Sequence, residues 1–263
     1  MTNQQRLWDS LMTIAQIGAT EKGGSRRLAL TDLDREARDL FVRWCEEAGC
    51  TVSVDAMGNI FARRAGTDDA LPPVLAGSHL DTQPNGGKFD GVFGVLAALE
   101  AVRTLNDHAI ETKRAIEIVD WTNEEGSRFA PAMIGSGVFG GEFSLEEGLA
   151  CTDRDGNTLG DELKRIGYVG DMKCAPRELA AFFEAHIEQG PILEAEEKTI
   201  GVVQGVQGIR WFEIEVTGME SHAGTTPMER RKDALVGAAR MVSEAHRIGE
   251  AAMPDGRTTI GFM

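Results

Sequence analysis

The chain has 263 residues, enough to bury one large core or two smaller ones. Its formal net charge of −15 argues against nucleic acid and anionic membranes as partners, because both require clustered lysine and arginine. The N-terminus lacks the pattern of a signal peptide, and no apolar run is long enough to span a bilayer. The four cysteines match neither a CxxC motif nor a dense disulfide framework. We therefore expect a cytoplasmic protein with reduced thiols.

Two helices and a hairpin are predicted in the first 64 residues. Apolar residues recur at helical spacing over 3–17, with Thr2 as a candidate N-cap, and again from Thr31 to about Ala48. The segment TVSVDAMGNIFARR then alternates apolar and polar residues on both sides of a Gly-Asn pair. This alternation predicts a β-hairpin.

A strand–helix–strand pattern follows from residue 73. The apolar runs PVLAGSH and AIEIVDW are typical of buried strands, and FDGVFGVLAALEAVRTL between them carries a helical apolar stripe. Such a unit predicts an α/β fold with a mixed, mainly parallel sheet flanked by helices. The later segment AFFEAHIEQGPIL favours a further strand, although a helix beginning at Arg177 is an alternative.

We place a domain boundary near Gly205–Gly208, which gives domains 1–207 and 208–263. In the second domain, IRWFEIEVTG alternates like a half-exposed strand. Thr226 and Pro227 are typical of a helix start, so we predict a helix from there to about Ile248. The final segment, RTTIGFM, resembles another strand.

Metal-binding side chains follow the predicted strands of the first domain. His79 comes at the end of PVLAGSH, and Asp81 could accept its second ring N–H. Asp90 begins the glycine-rich helix, where a carboxylate could bridge two cations. Taken singly, these residues have ordinary explanations, such as a hydrogen-bonded histidine or a carboxylate at a helix N-terminus.

Two further clusters belong to the same edge of the sheet. Glu124 and Glu125 follow AIEIVDW, and His186 lies near the end of the next predicted strand. Ligands bind at the carboxyl ends of strands in open α/β sheets. A glutamate pair in a loop or a single histidine in an apolar strand would not by itself predict a metal site. Side chains that can bind metal at several successive strand ends do predict one.

Four long blocks of this sequence are similar to those of the N-carbamoyl-L-amino-acid hydrolases, amidases with two metal ions from the aminoacylase and carboxypeptidase clan. The blocks are GSHLDTQPNGGKFDGVFGVLAALEA, WTNEEGSRFAPAMIGSG, EAHIEQGPILE and GMESHAGTTPMERRKDAL. The resemblance runs from the first helix to the last residue. It implies a zinc-peptidase-like catalytic domain over 1–207 and the first part of a ferredoxin-like lid and dimerisation domain over 208–263.

The resemblance also implies roles for these residues. His79 and His186 would hold one divalent cation and Glu125 the other, with Asp90 bridging the two. Glu124 would act as the general base that takes a proton from the attacking water. The cations would be zinc, or manganese, cobalt or nickel.

Three more residues receive roles at the periphery of this site. Asp81 would orient His79 and so belongs to the catalytic group. His222, in the lid, would stabilise the oxyanion from a partner subunit of a homodimer, unless it is a surface-loop histidine. Gln189 would contribute to binding the carboxylate of a small-molecule substrate, or it is an ordinary polar residue at a strand end.

The chain departs from the family pattern because members of the family continue beyond its last residue. We therefore expect that the sequence is truncated at its C-terminus. In that case only two of the ligands of the second cation, Asp90 and Glu125, are present. The leading hypothesis is an amidohydrolase that converts N-carbamoyl-L-amino acids to L-amino acids, CO2 and NH3. Alternatives are hydrolysis of allantoate or β-ureidopropionate, a peptidase, and a truncated, inactive remnant that binds metal or a partner.

Overall fold

The computed structural model describes all 263 residues, which form two compact units, Met1–Ile200 and Gly201–Met263. The first unit contains the sheet and the hydrophobic core. No helix in either unit combines the length and apolar character that crossing a membrane requires. The functional division after residue 207 stays a prediction.

The first unit contains one five-stranded sheet with the strand order β1-β2-β4-β3-β5. The strands are β1 Thr51–Val54, β2 Ile60–Arg64, β3 Val74–Ser78, β4 Ile116–Asp120 and β5 Ala181–Phe183. β2 pairs antiparallel with β1 and β4, whereas β3 pairs parallel with β4 and β5. The prediction of a mixed α/β sheet is confirmed, with two parallel and two antiparallel pairings.

The first unit also contains seven helices, and two of them pack directly on the sheet. The seven helices are α1 Gln4–Ile14, α2 Asp32–Glu47, α3 Val92–Asp107, α4 Ile134–Gly140, α5 Leu145–Ala150, α6 Leu159–Ile166 and α7 Ile192–Ala195. α3 packs on β3 and β4 and is covered by α1, while α2 packs on β1 and β2. The sheet is therefore flanked by helices, as the sequence predicts.

The apolar stripe of α3 accounts for its position against the sheet. Val92, Val95, Leu96, Leu99 and Val102 are at most 1% exposed and face the core. Burial of one such side chain contributes about 1.5–3 kcal/mol. This stripe holds the start of α3, and with it the preceding Asp90, close to the end of β3.

The helix caps of the first unit agree only partly with the sequence predictions. Thr31 caps α2, since its side chain accepts a hydrogen bond from the N–H of Asp34. The predicted cap Thr2 is wrong for α1, because Asn3 takes that position and accepts from the N–H of Arg6. Asparagine is at least as good an N-cap as threonine, so the helix begins one residue later.

β5 is an edge strand of three residues, and the helix considered from Arg177 does not form. Its pairing with β3 runs from Val74 opposite Ala181 to Ala76 opposite Phe183. The chain then continues without ladder bonds through His186. The side chains of Phe182 and Phe183 are exposed.

The second unit contains the helix α8, Ala234–Ala251, and a short 3-10 turn at Met228–Arg230. The predicted start at Thr226 is wrong, because Asp233 caps α8 by accepting from the N–H of Val236. The strands predicted at 209–218 and 257–263 are also wrong, since neither segment makes ladder hydrogen bonds. A strand forms only with a partner, and alternation alone does not provide one. The description of this unit as part of a lid domain stays a prediction.

Candidate metal centre

The strand registers of the first unit bring the predicted site residues to one edge of the sheet. Ala76 of β3 lies opposite Phe183 of β5, so three residues further in the same register His79 falls beside His186. Ser78 lies opposite Asp120 of β4, so the segments that follow these two residues also run side by side. Parallel pairing thus gathers residues that are distant in the sequence.

Three side chains that could bind a metal ion meet at this edge. One ligand atom from each of His79, Asp90 and His186 lies within 4.8 Å of the others. The Nε2 atom of His186 is 3.2 Å from Oδ1 of Asp90, and the Nε2 atom of His79 is 4.0 Å from it. Two imidazoles and a carboxylate are a donor set typical of zinc and related divalent cations. The side chains present therefore fit one divalent cation.

His79 is fixed in an orientation that suits a ligand. Its side chain is 1% exposed, and its Nδ1 lies 2.9 Å from the main-chain carbonyl oxygen of Asp81. If Nδ1 donates to that carbonyl, the lone pair of Nε2 is free to bind a cation. Burial alone would lower the pKa of His79, but the carboxylates of Asp81 and Glu124 outweigh burial and raise it.

The carboxylate of Asp81 has a different partner from the predicted one. It lies 3.7 Å from Nδ1 of His79, beyond a normal hydrogen bond, and instead accepts from the backbone N–H groups of Glu124 and Glu125, each at 3.2 Å. Two backbone donors at a loop attract a carboxylate more directly than one ring N–H that the adjacent carbonyl already satisfies. Burial raises the pKa of Asp81 to about 7. Asp81 therefore ties the loop of the paired glutamates to the loop of His79.

The two glutamates of the pair point to different partners. Oε2 of Glu124 lies 3.3 Å from Nε2 of His79, beside the three-residue cluster. Glu125, the predicted ligand of a second cation, accepts from the backbone N–H of Gln83 at 3.2 Å and from its side-chain amide at 2.5 Å. Burial raises the pKa of Glu125. The structure therefore groups Glu124 with the cluster and holds Glu125 against Gln83.

Gly91 and Asn123 shape the site, although the sequence predicted no role for either one. Gly91 has a φ of +66°, and a Cβ atom there would lie 2.3 Å from Nε2 of His79. Asn123 also has a positive φ, and its side chain donates to the carbonyl oxygen of Phe129 at 2.8 Å. Glycine and asparagine tolerate this conformation best. The Asp-Gly and Thr-Asn steps beside the predicted ligands are the sequence signals that could have revealed them.

Gln189 and His222 lie in different units. The side-chain amide of Gln189 donates to Oδ2 of Asp90 at 2.5 Å, so in this structure it orients a residue of the cluster. His222 is an exposed residue of the second unit, and its Nδ1 accepts from the N–H groups of Gly224 and Thr225 at 2.9 and 3.1 Å. These bonds leave its Nε2 as a donor. The roles predicted for both residues stay predictions.

Two curated proteins that are similar to this chain are amidohydrolases. Among curated proteins, the chain is 54% identical to an N-carbamoyl-L-amino-acid amidohydrolase of Rhizobium meliloti, over 99% of this chain and 63% of that protein. It is 36% identical to an allantoate amidohydrolase of Bacillus subtilis, over 90% of this chain and 58% of that protein. The chain thus spans less than two thirds of the length of these relatives.

A solved structure agrees with the fold. The crystal structure of an amidase of the hydantoinase/carbamoylase family from Burkholderia vietnamiensis superposes with a TM-score of 0.92 and 63% sequence identity. This match covers 96% of this chain and 61% of that chain. The resemblance inferred from the four sequence blocks is confirmed. The model of peptidase family M20/M25/M40 matches residues 75–263, and the chain belongs to this family.

Proposed function

We propose that this chain carries the metal-dependent centre of an amidohydrolase that converts an N-carbamoyl-L-amino acid to the L-amino acid, CO2 and NH3. The observation that carries the proposal is the cluster of His79, Asp90 and His186 with the carboxylate of Glu124 at 3.3 Å from His79. The 54% identity to an N-carbamoyl-L-amino-acid amidohydrolase supports the choice of substrate.

In this proposal, His79, Asp90 and His186 would hold one divalent cation, and Glu125 together with Asp90 would hold a second. Zinc suits the two imidazoles and the carboxylate, and manganese, cobalt and nickel remain candidates. A bound divalent cation acidifies water and polarises the ureido carbonyl. Because Glu125 is held by Gln83, the second cation has to compete with those hydrogen bonds.

Glu124 moves the proton in the proposed reaction. Its carboxylate takes a proton from the water that attacks the ureido carbonyl and then returns it to the leaving nitrogen. Asp81 fixes the backbone of Glu124 and so the position of this base. Gln189 contributes to binding the substrate carboxylate, and His222 stabilises the oxyanion from a partner subunit.

The test is a hydrolysis assay with the divalent-metal-loaded chain and an N-carbamoyl-L-amino acid, with release of the free amino acid as the readout. We expect Glu124→Gln to lower kcat by about 10²- to 10⁴-fold, since loss of general base catalysis has that magnitude. Glu36→Gln is the matched control, because Glu36 is an exposed residue of α2. The activity of this variant should stay at the wild-type level. Wild-type activity of Glu124→Gln would contradict the assignment.

Two alternatives rest on specific observations. The 36% identity to an allantoate amidohydrolase keeps allantoate, and with it β-ureidopropionate, as a candidate substrate. Initial rates on the three substrates separate these activities, and a dipeptide tests peptidase activity in the same assay. The hydrogen bonds between Glu125 and Gln83 favour an inactive protein that binds one cation. Tight binding of one cation without turnover on any substrate would support that second alternative.

We further propose a homodimer that forms through residues 208–263. The apolar side chains of α8 that are exposed support this proposal, among them Leu235, Val236 and Ile248. Light scattering at working concentration tests it, and a monomer would contradict it. All four cysteines are free, which agrees with the prediction of a cytoplasmic location.

A further inference from the structure

Two buried charged side chains hold the peptide groups on either side of Leu80, the residue between His79 and Asp81. Oδ1 of Asp120 accepts the N–H of Leu80 at 2.8 Å, and Nε of Arg27 donates to the carbonyl oxygen of Leu80 at 3.0 Å. The first bond fixes the peptide plane that follows His79, and the second fixes the plane that precedes Asp81. The backbone next to the metal cluster is therefore held from both sides.

Arg27 is joined to this loop by more than one bond. Its backbone N–H donates to Oγ1 of Thr82 at 2.8 Å, and its carbonyl oxygen accepts the N–H of Thr82 at 2.9 Å. Its guanidinium also donates to the carbonyl oxygen of Ile17 at 2.9 Å. Arg27 thus connects the loop after β3 to the turn that follows α1.

A second buried arginine, Arg38, lies beside Asp120. Nη1 of Arg38 lies 3.8 Å from Oδ2 of Asp120, and Nε of Arg38 donates to Asp34 at 2.9 Å. The side chains of all three residues are fully buried. Nη2 of Arg38 also reaches Oγ1 of Thr122, at 3.3 Å, at the start of the loop that carries Glu124. One buried ion network therefore contacts both loops of the candidate metal centre.

Packing alone does not explain these charges. A buried ion pair is expensive to desolvate, and apolar residues of similar volume are often as stable or more stable in its place. Ile118, two residues earlier in β4, is such an apolar residue and is fully buried. Asp120 is the last residue of β4 in the ladder. Its carboxylate accepts the N–H of Leu80, the residue that follows His79.

We propose that Asp120 and Arg27 are positioning residues of the metal centre: through Leu80 they set the direction from which His79 presents Nε2 to the cation. This inference rests on the proposed metal-dependent function. Neither residue belongs to the cluster of His79, Asp90 and His186. Groups that orient a ligand histidine typically change metal affinity by about 10- to 100-fold when they are removed.

The test is titration of the metal-free full chain with Co²⁺, followed by calorimetry and by the visible absorption of the bound ion. Asp120→Ala removes the acceptor of the Leu80 N–H, and we expect it to weaken Co²⁺ binding about tenfold or more and to change the absorption band. Asp120→Asn keeps a carbonyl oxygen in the same place and should retain most of the affinity. Ile118→Ala is the matched control, because it destabilises the same strand without touching Leu80, and it should bind Co²⁺ as the wild type does.

The outcomes separate this inference from the function on which it rests. If the wild type binds Co²⁺ no more tightly than His79→Ala, the metal centre itself is wrong and the inference is wrong with it. If the wild type binds tightly and Asp120→Ala binds equally well, only the positioning role is overturned. Should Asp120→Ala not fold, Arg27→Met removes the other contact to Leu80; the same loss of affinity would support the inference, and unchanged affinity would overturn it.

Discussion

The two histidines of the candidate metal centre lie in contrasting environments. The side chain of His79 is 1% exposed and packs against Gly91, and the two peptide planes that follow His79 are held by Asp120 and Arg27. The side chain of His186 is 34% exposed and follows the short edge strand β5, with Nδ1 near the carbonyl oxygen of Ile187. One histidine is thus buried, whereas the other lies at the edge of the sheet. We infer that preorganisation of the centre resides on the His79 side.

The largest effect is expected from crowding the buried histidine. In Gly91→Ala, the new methyl group would overlap the ring of His79, and alanine would have to adopt a φ of +66°. This sparsely populated backbone conformation alone costs an L-residue about 1–3 kcal/mol, and overpacking adds about 1–3 kcal/mol. We expect the free energy of unfolding, measured with denaturant, to decrease by about the sum of these two costs. Co²⁺ binding should be lost as well.

Gly87→Ala is the matched control for this variant. A Cβ atom at Gly87 has no neighbour within 4 Å, so this substitution in the same glycine-rich segment should change neither stability nor Co²⁺ binding. A Gly91→Ala protein with wild-type stability and affinity would show that the ring of His79 is free to move. The contrast between the two histidines would then be wrong.

Replacing each histidine in turn tests the contrast directly. His79→Ala leaves a buried cavity and the carbonyl oxygen of Asp81 without its partner, so we expect a loss of about 1–3 kcal/mol in the free energy of unfolding. His186→Ala removes a partly exposed side chain, and the change should stay within about 0.5 kcal/mol. Both variants should lose Co²⁺ affinity. Equal effects on stability would contradict the difference in preorganisation.

Most strands of the sheet and several residues of the candidate site could be predicted from the sequence. Alternating and apolar runs identified β1 to β4, and the polar residues after each run identified His79, Glu124 and Glu125. Asp120 and Arg27 could not be found in this way, because they lie 40 and 53 residues from Leu80 and a single sequence does not show which distant residues pair.

The failures have related physical causes. The predicted strand at 209–218 failed because a strand depends on a distant partner and not on its own alternation. The start of α8 was misplaced because Thr226 and Asp233 are both good N-caps, and local preference does not choose between them. The carboxylate of Asp81 was assigned to the nearest ring in the sequence, whereas its partners belong to the neighbouring strand end.

A smaller effect, which depends on pH, is expected at the outer side of α3. Glu100 is buried and accepts hydrogen bonds from Arg6 at 2.8 Å. Burial alone would raise the pKa of Glu100, but the bonds from Arg6, Asn3 and Thr104 outweigh burial and hold the pKa below the ordinary value of 4.5. This contribution to stability is therefore complete above pH 4.5 and is lost as the pH falls through the lower pKa of the folded chain.

Glu100→Gln tests this pH dependence. We expect it to lower the free energy of unfolding by about 1 kcal/mol at pH 7, with a deficit that shrinks towards pH 3, while Co²⁺ affinity at pH 7 stays unchanged. Denaturant unfolding at the two pH values measures the deficit. A deficit that grows towards low pH would contradict the sign of the pKa shift.

The smallest effect is expected at the link between the two histidine segments. The hydroxyl of Ser78 donates to a carboxylate oxygen of Glu184 at 2.5 Å, which joins the end of β3 to the segment that carries His186. Because Glu184 is exposed, Ser78→Ala should cost only about 0.5 kcal/mol in unfolding free energy, at the low end for a hydrogen bond. Amide hydrogen exchange should increase after β5 and not around Leu80. Faster exchange around Leu80 would show that the His79 side depends on this link.

The position of a bound cation would show whether His79, Asp90 and His186 form a metal site. Crystals of the metal-free chain soaked with Zn²⁺ would reveal the ion by its anomalous scattering. We expect a peak about 2.0–2.2 Å from a carboxylate oxygen of Asp90 and from Nε2 of both His79 and His186. A peak bound elsewhere, or none at this cluster with Zn²⁺ in excess, would contradict the assignment of the metal centre.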